Sequence, residues 1–287
     1  MKSFFAPGKL MLSGEYSVLQ GAHALAVPTK MGQHLKVEAY AKNDLRYSAY
    51  DDANNLWLDF HLSEAKSEAE VLVRDILYQA MDKEALKGWH LSTKLDFPRA
   101  WGLGSSSTFI SLIAQWTEHE VWPLFFKFLK GSGYDVAVAE ERACLMYQLE
   151  EEHKPKWTKV KIPKFFKDTA LVYLGEKQNS ANEVKRFLSE KRSAALVEEI
   201  SSLSLNLLEL KDRKELAEWM IEHESKTAEL IGRRPVPPLR LPKIEGQAKS
   251  LGAWGGDFIW LSHAESIKTV QENGFPDAYP FFKLVED

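Results

Sequence analysis

The stretch Pro98-Arg-Ala-Trp-Gly-Leu-Gly-Ser-Ser-Ser-Thr108, which runs directly into an apolar segment over 109–116, sets the terms on which the rest of the chain is read. Gly102 and Gly104 permit a tight turn and a close approach of backbone to a ligand. Leu103 lies between them. Ser105, Ser106, Ser107 and Thr108 then open a helix. Hydroxyls, N–H groups with no helical acceptor and the positive end of the helix dipole therefore gather at one point, which suits a phosphate. The same residues also describe an ordinary helix capped after a glycine turn. No Gly-Lys-Ser/Thr ending follows as in a P-loop, and the third glycine of a dinucleotide fingerprint is missing.

Upstream, Gly88-Trp-His-Leu-Ser-Thr-Lys-Leu-Asp-Phe97 alternates as a strand that delivers the chain to this turn, and 67–86 carries a helical apolar face through Val71, Leu72, Ile76, Leu77, Ala80 and Met81. Before that, segments 21–28, 33–40, 45–50 and 56–60 read as strands of an antiparallel sheet. At the start, Phe4-Phe-Ala-Pro-Gly-Lys-Leu-Met-Leu-Ser-Gly-Glu-Tyr16 reads as a short strand, a turn at Pro7-Gly8, and a second strand. Lys9, at that turn, is either a solvated charge or a cation able to neutralise developing charge on a phosphate. His23 among alanines reads as a packed structural residue.

Downstream, 121–130 is an apolar segment restarted as a helix at Pro123, its aromatics destined for a core. Gly131-Ser-Gly-Tyr-Asp-Val-Ala137 places Asp135 after a glycine-bounded turn, where an acid is commonly a turn-former. Charge and a proline in Glu150-Glu-Glu-His-Lys-Pro-Lys-Trp157 mark a domain boundary, giving domains of 1–155 and 156–287. In the second, 168–175 is a strand, 178–184 supplies caps for a helix, and helical periodicity runs through 194–210 and 214–231. Ser250-Leu-Gly-Ala-Trp-Gly-Gly-Asp-Phe-Ile-Trp-Leu261 is a glycine turn feeding a strand.

Three of these segments, in order and spacing, resemble the motifs of the GHMP kinases: Pro7-Gly-Lys-Leu with Ser13-Gly-Glu-Tyr16, the loop 98–108, and the turn 250–257. The Ser-Gly-Glu-Tyr ending is closest to the mevalonate and phosphomevalonate branch, and Gly-Tyr-Asp-Val-Ala is similar to the Gly-Tyr-Asp-Ile-Ala signature of a bacterial sub-branch. The resemblance implies an α/β (α+β) fold of two domains, an N-terminal ribosomal-protein-like one and a C-terminal ferredoxin-like one, with the active site in the cleft between them. It implies ATP and Mg2+ as cofactors. Loop 102–108 would hold the nucleotide phosphates, Ser106 would ligate the metal, and Lys9 and Asp135 would be catalytic, Asp135 as base. Glu15, Tyr16, Gly252 and Ala253 would face the substrate. Two departures stand out. Trp254 and Asp257 replace glycines of the third motif, which tightens the loop's space and adds a negative charge there, and the family's metal-binding glutamate has Leu124, Phe125 and Phe126 in its place. Serine, phosphates and waters would then hold the metal.

Composition bounds the function. The chain has 287 residues, 45% hydrophobic, and a net charge of -4 with acids and bases interspersed, which excludes the basic field that a nucleic-acid backbone requires. One cysteine, Cys144, excludes an internal disulfide and a cysteine metal site and points to a reducing cytoplasm. Neither a signal-peptide core nor a membrane-length apolar run is present in the sequence. The expectation is a cytoplasmic small-molecule kinase, monomer or homodimer, acting on mevalonate or phosphomevalonate. Its rivals are a diphosphomevalonate decarboxylase, which the wording Pro-Gly-Lys-Leu disfavours, and a ligand-binding regulator without turnover, for which Trp254 and Asp257 argue.

Overall fold

The computed structural model describes the chain except residues 152–153, 177–179, 191, 255–256 and 287. It forms two compact units, each discontinuous in sequence: residues 1–8, 31–99 and 103–142 in the first, and 9–30, 100–102 and 143–287 in the second. No helix among the described residues is long and apolar enough to cross a membrane.

Two long strands contribute to both units, β1 (Lys2–Met11) and β2 (Ala24–Ala39). Each corrects the sequence reading, which broke β1 at Pro7-Gly8 and split β2 after Pro28. Prolines at 7 and 28 do not end these strands, because a missing N–H costs nothing where no neighbour needs it. β1 pairs with β2.

In the first unit β2 pairs antiparallel with β5 (Trp89–Leu95), in a register that sets Gln33 opposite Leu95 and Ala39 opposite Trp89. Next to β5 lies β3 (Arg46–Tyr50), and β4 (Leu56–His61) closes the order β4-β3-β5-β2. β3 runs parallel to β5, so this sheet is mixed where the alternation of its strands predicted a purely antiparallel one. Helix α1 (Glu68–Ala80) opens with a capping box, in which Ser67 accepts from Glu70 N and the Glu70 carboxylate accepts from Ser67 N. α2 (Ser105–Thr117), α3 (Val121–Phe128) and α4 (Tyr134–Glu141) complete the layer. One cluster joins Leu35, Val37 and Leu91 of the sheet to Ile76, Leu77, Ile110, Ile113, Leu124, Phe125 and Val136 of the helices. Leu124 and Phe125 are therefore core residues, as the sequence predicted for this aromatic run, and α3 has no carboxylate to offer a metal at that place.

In the second unit the first part of β2 pairs with β6 (Leu145–Glu151), which pairs with β7 (Lys154–Lys159). The described parts of the charged, proline-bearing stretch, 150–151 and 154–157, thus belong to two paired antiparallel strands. A second sheet has the order β11-β8-β10-β9, from β8 (Ala170–Tyr173), β9 (Ala248–Ser250), β10 (Phe258–Leu261) and β11 (Ala278–Pro280). All its pairings are antiparallel. Beside it are α5 (Ser180–Leu188), α6 (Ala194–Asn206) and α7 (Arg213–Ile231), the last capped by Asp212 and ended by Gly232. Of the caps read at 178–184, Gln178 and Asn179 lie outside the described residues.

Candidate active site

The N-terminus of α2 is built as an anion holder. Gly104 is its N-cap at φ 90°, a backbone conformation that favours glycine, and no side chain caps the helix. The first intrahelical bond runs from Thr108 N to Gly104 O at 2.9 Å, so the N–H groups of Ser105, Ser106 and Ser107 stand ahead of it at the positive end of the dipole. The four hydroxyls do not converge, as the sequence had predicted. Thr108 Oγ1 donates to Gln33 Oε1 at 2.7 Å, and Ser107 Oγ donates to Asp135 Oδ2 at 2.6 Å, both within the protein. Ser105 is half-buried and Ser106 exposed, which leaves these two nearest to solvent. Leu103 is buried and contributes packing.

Asp135 occupies the first turn of α4, half-buried, with the Ser107 hydroxyl beside it. A carboxylate held this way by one short hydrogen bond keeps its other oxygen, Oδ1, which also accepts from Val136 N at 3.2 Å. Fitness for a metal follows from the donor set. No group of three or more His, Cys, Asp or Glu that could hold a metal occurs among the described residues. Hard oxygen donors at the α2 N-terminus, with phosphate and water completing the shell, suit magnesium, which retains several waters.

In the second unit, Lys9 is on β1, half-buried, and its Nζ donates to Gly102 O at 3.0 Å. The ammonium is thereby tied to the turn that leads into α2. Asp257 also lies beside that glycine: a Cβ placed on Gly102 would lie 3.2 Å from Asp257 Oδ1, and one on Gly252 would lie 3.0 Å from Oδ2. Ala253 N donates to Oδ2 at 3.3 Å. Asp257 is 9% exposed.

Of the residues assigned to substrate, Tyr16 and Ala253 bind each other and Glu15 is turned inward. Tyr16, at φ 61°, donates through its hydroxyl to Ala253 O at 2.9 Å, and burial pushes its phenol pKa up, the charges of Glu183 and Asp257 adding to the shift. Glu15 is 1% exposed and turned inward, where Oε1 accepts from the buried Lys249. Lys249 Nζ also donates to Ser250 O at 2.9 Å. Beside them, Glu224 accepts from Ser250 N at 2.9 Å and from Ser250 Oγ at 2.7 Å. His223 Nε2 accepts from Gly14 N at 3.3 Å and lies 3.8 Å from Glu15 Oε2. Burial raises the Glu15 pKa against the opposing pull of Lys249, raises that of Glu224, and drives that of His223 well below its ordinary value. A neutral His223 that accepts at Nε2 carries its proton on Nδ1, which then donates to Thr227 Oγ1 at 3.2 Å. Glu15 is accordingly a frame residue rather than a ligand contact. His23, half-buried, hydrogen-bonds Ser201 Oγ through Nδ1 at 3.0 Å.

Trp254 corrects a second expectation. Its indole was expected to narrow the turn; instead the side chain is 1% exposed and packs with Tyr16, Phe187 and Ile200. The backbone keeps the glycine-type conformation at φ 48°, an arrangement of real steric cost in a tryptophan. Sequence reading missed Lys249, Glu224 and His223. Periodicity gave no signal: Lys249 and Ser250 are consecutive residues of β9 and both are buried, so no alternation sets the lysine apart.

Comparison with known proteins places this architecture. No family model matches the chain, and no curated protein matches it in sequence. Among solved structures, the Streptococcus pneumoniae phosphomevalonate kinase in complex with phosphomevalonate and AMPPNP superposes with a TM-score of 0.72 at 19% identity, over 95% of each chain. The Methanococcus jannaschii mevalonate kinase gives 0.69 at 18% identity, over 95% of this chain and 94% of that one. A D-glycero-D-manno-heptose 1-phosphate kinase from Bacteriodes thetaiotaomicron gives 0.71 at 18% identity, over 99% and 96%. The fold is that of the GHMP kinases.

Proposed function

We propose that the chain is an ATP-dependent, Mg2+-requiring kinase that phosphorylates a small isoprenoid precursor, mevalonate or phosphomevalonate. The observation that carries this reading is the uncapped N-terminus of α2 with Ser107 hydrogen-bonded to Asp135, because it sets a phosphate holder and a candidate base on one framework. When bound, the nucleotide supplies the transferable phosphoryl group and the metal offsets its charge. Phosphoryl transfer then asks the protein for positioning and charge neutralisation more than for covalent chemistry.

The N–H groups of 105–107 would hold phosphate oxygens, and Ser106, exposed at the same turn, would be the protein's ligand to the metal. Lys9 would stabilise charge that grows during transfer, its ammonium held by Gly102 O. Asp135 would take the proton from the acceptor hydroxyl, with Ser107 fixing the carboxylate plane. Gly252, Ala253 and Tyr16 would form the acceptor side through the turn they share, with Glu15 behind them as support.

The test is ADP formation over a panel of mevalonate, phosphomevalonate, homoserine and sugars. Magnesium-dependent ADP formation with an isoprenoid precursor is the expected result. Tight nucleotide binding with no turnover of any acceptor would replace the kinase with a ligand-binding regulator.

A further inference from the structure

The second unit carries a groove of about 680 Å3, inside the roughly 300–1,000 Å3 range of small-molecule sites. None of its lining residues belongs to the candidate active site. The register of β6 and β7 sets Met146 opposite Thr158 and Gln148 opposite Lys156, so these four side chains share one face, and all four line the groove. Leu205, in the last turn of α6, and Leu208, in the short helical turn that follows, line it as well. Leu205 stands off the face of α6 that Val197, Ile200 and Leu203 bury, and it is 44% exposed. Apolar surface open to solvent at the wall of a groove marks a binding surface more readily than a folding contact.

The rim is cationic. Residues 154–167 hold six lysines and no acidic residue, and Lys156, Lys161, Lys164 and Lys167 are exposed. Lys156 pairs with Glu150 at 2.5 Å, with the two side chains 67% and 41% exposed; a solvated pair of this kind is weak and exchanges partners readily. His23 also lines the groove. Ser201 Oγ accepts from His23 N at 3.0 Å and lies 3.0 Å from Nδ1; with that hydroxyl donating to Nδ1, the ring proton sits on Nε2, ready for an anion. β7 is the outer strand of its sheet, but Pro155 removes a backbone donor there and the lysines would meet lysines of a second copy, so strand addition by another copy is disfavoured. A hydrocarbon body with one anionic end satisfies both the lining and the rim. We propose that this groove binds a medium-chain aliphatic carboxylate or phosphate, its chain against Met146, Leu205 and Leu208 and its anion at Lys156 and His23 Nε2. The site is separate from the α2 N-terminus and stands independently of the kinase reading.

The experiment is calorimetry on the full chain with decanoate and decyl phosphate, beside decanol and inorganic phosphate, each with and without AMPPNP and Mg2+. Both amphiphilic anions are expected to bind at least tenfold more tightly than decanol or inorganic phosphate, with AMPPNP present or absent. Leu205→Asp should weaken them at least tenfold, and Lys156→Glu should weaken them while leaving decanol unchanged. Ile221→Asp, at a 54% exposed position of α7, serves as the control and should change nothing. Thermal melting checks that each variant folds, and Lys156→Glu, a solvent-exposed change, carries the test if Leu205→Asp does not. Absence of binding overturns the proposal, as do equal affinities for decanol and decanoate or unchanged affinities in both folded groove variants. Loss of decyl phosphate binding when AMPPNP is added would place the probe at the start of α2 and also overturn it. Sedimentation with phosphatidylglycerol vesicles, sensitive to Leu205→Asp and without any binding of the soluble anions, would replace the small-molecule site with a membrane-facing surface.

Discussion

Replacement of Lys249 by methionine tests the buried frame most directly. The substitution keeps length and most of the volume and removes one charge. In the wild type the ammonium is 0% exposed and serves Glu15 Oε1 and Ser250 O, while its field also lowers the pKa of Glu224 against burial. Without it, two carboxylates remain inside, and Glu15 Oε2 already has no hydrogen-bond partner. Removing one member of a buried ion pair costs about 3–5 kcal/mol, a large share of the roughly 5–15 kcal/mol that holds a domain together. The melting temperature should fall by roughly 6–20 °C. The sign of the pH dependence is fixed by the carboxylates. Burial places the folded pKa of Glu15 above its ordinary 4.5, and loss of Lys249 moves it higher. A carboxyl whose pKa is raised on folding binds more protons in the native than in the unfolded state between the two values, so stability falls as pH rises through that window. Lys249→Met should therefore be closest to wild type near pH 5 and furthest from it near pH 8. Urea unfolding across that range measures the effect, with an unchanged m-value showing that the unfolded state has not altered. Adding Glu15→Gln should recover part of the loss, since it removes the orphaned charge. A loss below about 1 kcal/mol, or one that grows toward acid pH, would refute the assignment of Lys249 as the counter-charge of Glu15.

Gly104→Val forces a β-branched side chain to φ 90° at the α2 N-cap and should abolish nucleotide binding by calorimetry; a folded variant with unchanged affinity would make the loop purely structural. Lys9→Ala should lower kcat about a hundredfold with less than a tenfold loss of nucleotide affinity, because on the proposed kinase reading its charge would be used as negative charge develops; an equal loss in both would assign it to ground-state binding. Asp135→Asn keeps the volume and the Ser107 contact but removes the proton acceptor, and turnover should fall about a hundredfold, the low end for a general base, since a loose phosphoryl-transfer transition state makes modest demands on one. Full activity in that variant would leave Lys9 and the α2 N-terminus as the catalytic set.

What could be read from the sequence was what local physics decides. The α2 start was legible because a glycine turn, small hydroxyl residues and an apolar helical period state their geometry within twenty residues, and α1, α3, α6 and α7 were legible from periodicity in the same way. Strand continuity through Pro7 and Pro28 was not, because a proline's cost depends on whether a neighbour needs its N–H, and that neighbour is set by the sheet. The parallel pairing of β3 with β5 is likewise a property of chain path, as alternation looks the same in either direction. The site divides along the same line. Gly104 and Ser106 could be placed by rule, whereas the partners of Ser107, Thr108 and Glu15 lie 28, 75 and 234 residues away, so their hydroxyls and carboxylate could only be assigned outward, toward a ligand, until the tertiary contacts turned them inward. Trp254 and Asp257 show why that matters for function. Both occupy glycine positions in a recognisable turn, and on the sequence they are equal disturbances. The fold separates them: an apolar cluster absorbs the indole at the cost of a strained backbone, and no such cluster can take a carboxylate, which stays at the turn beside Gly102.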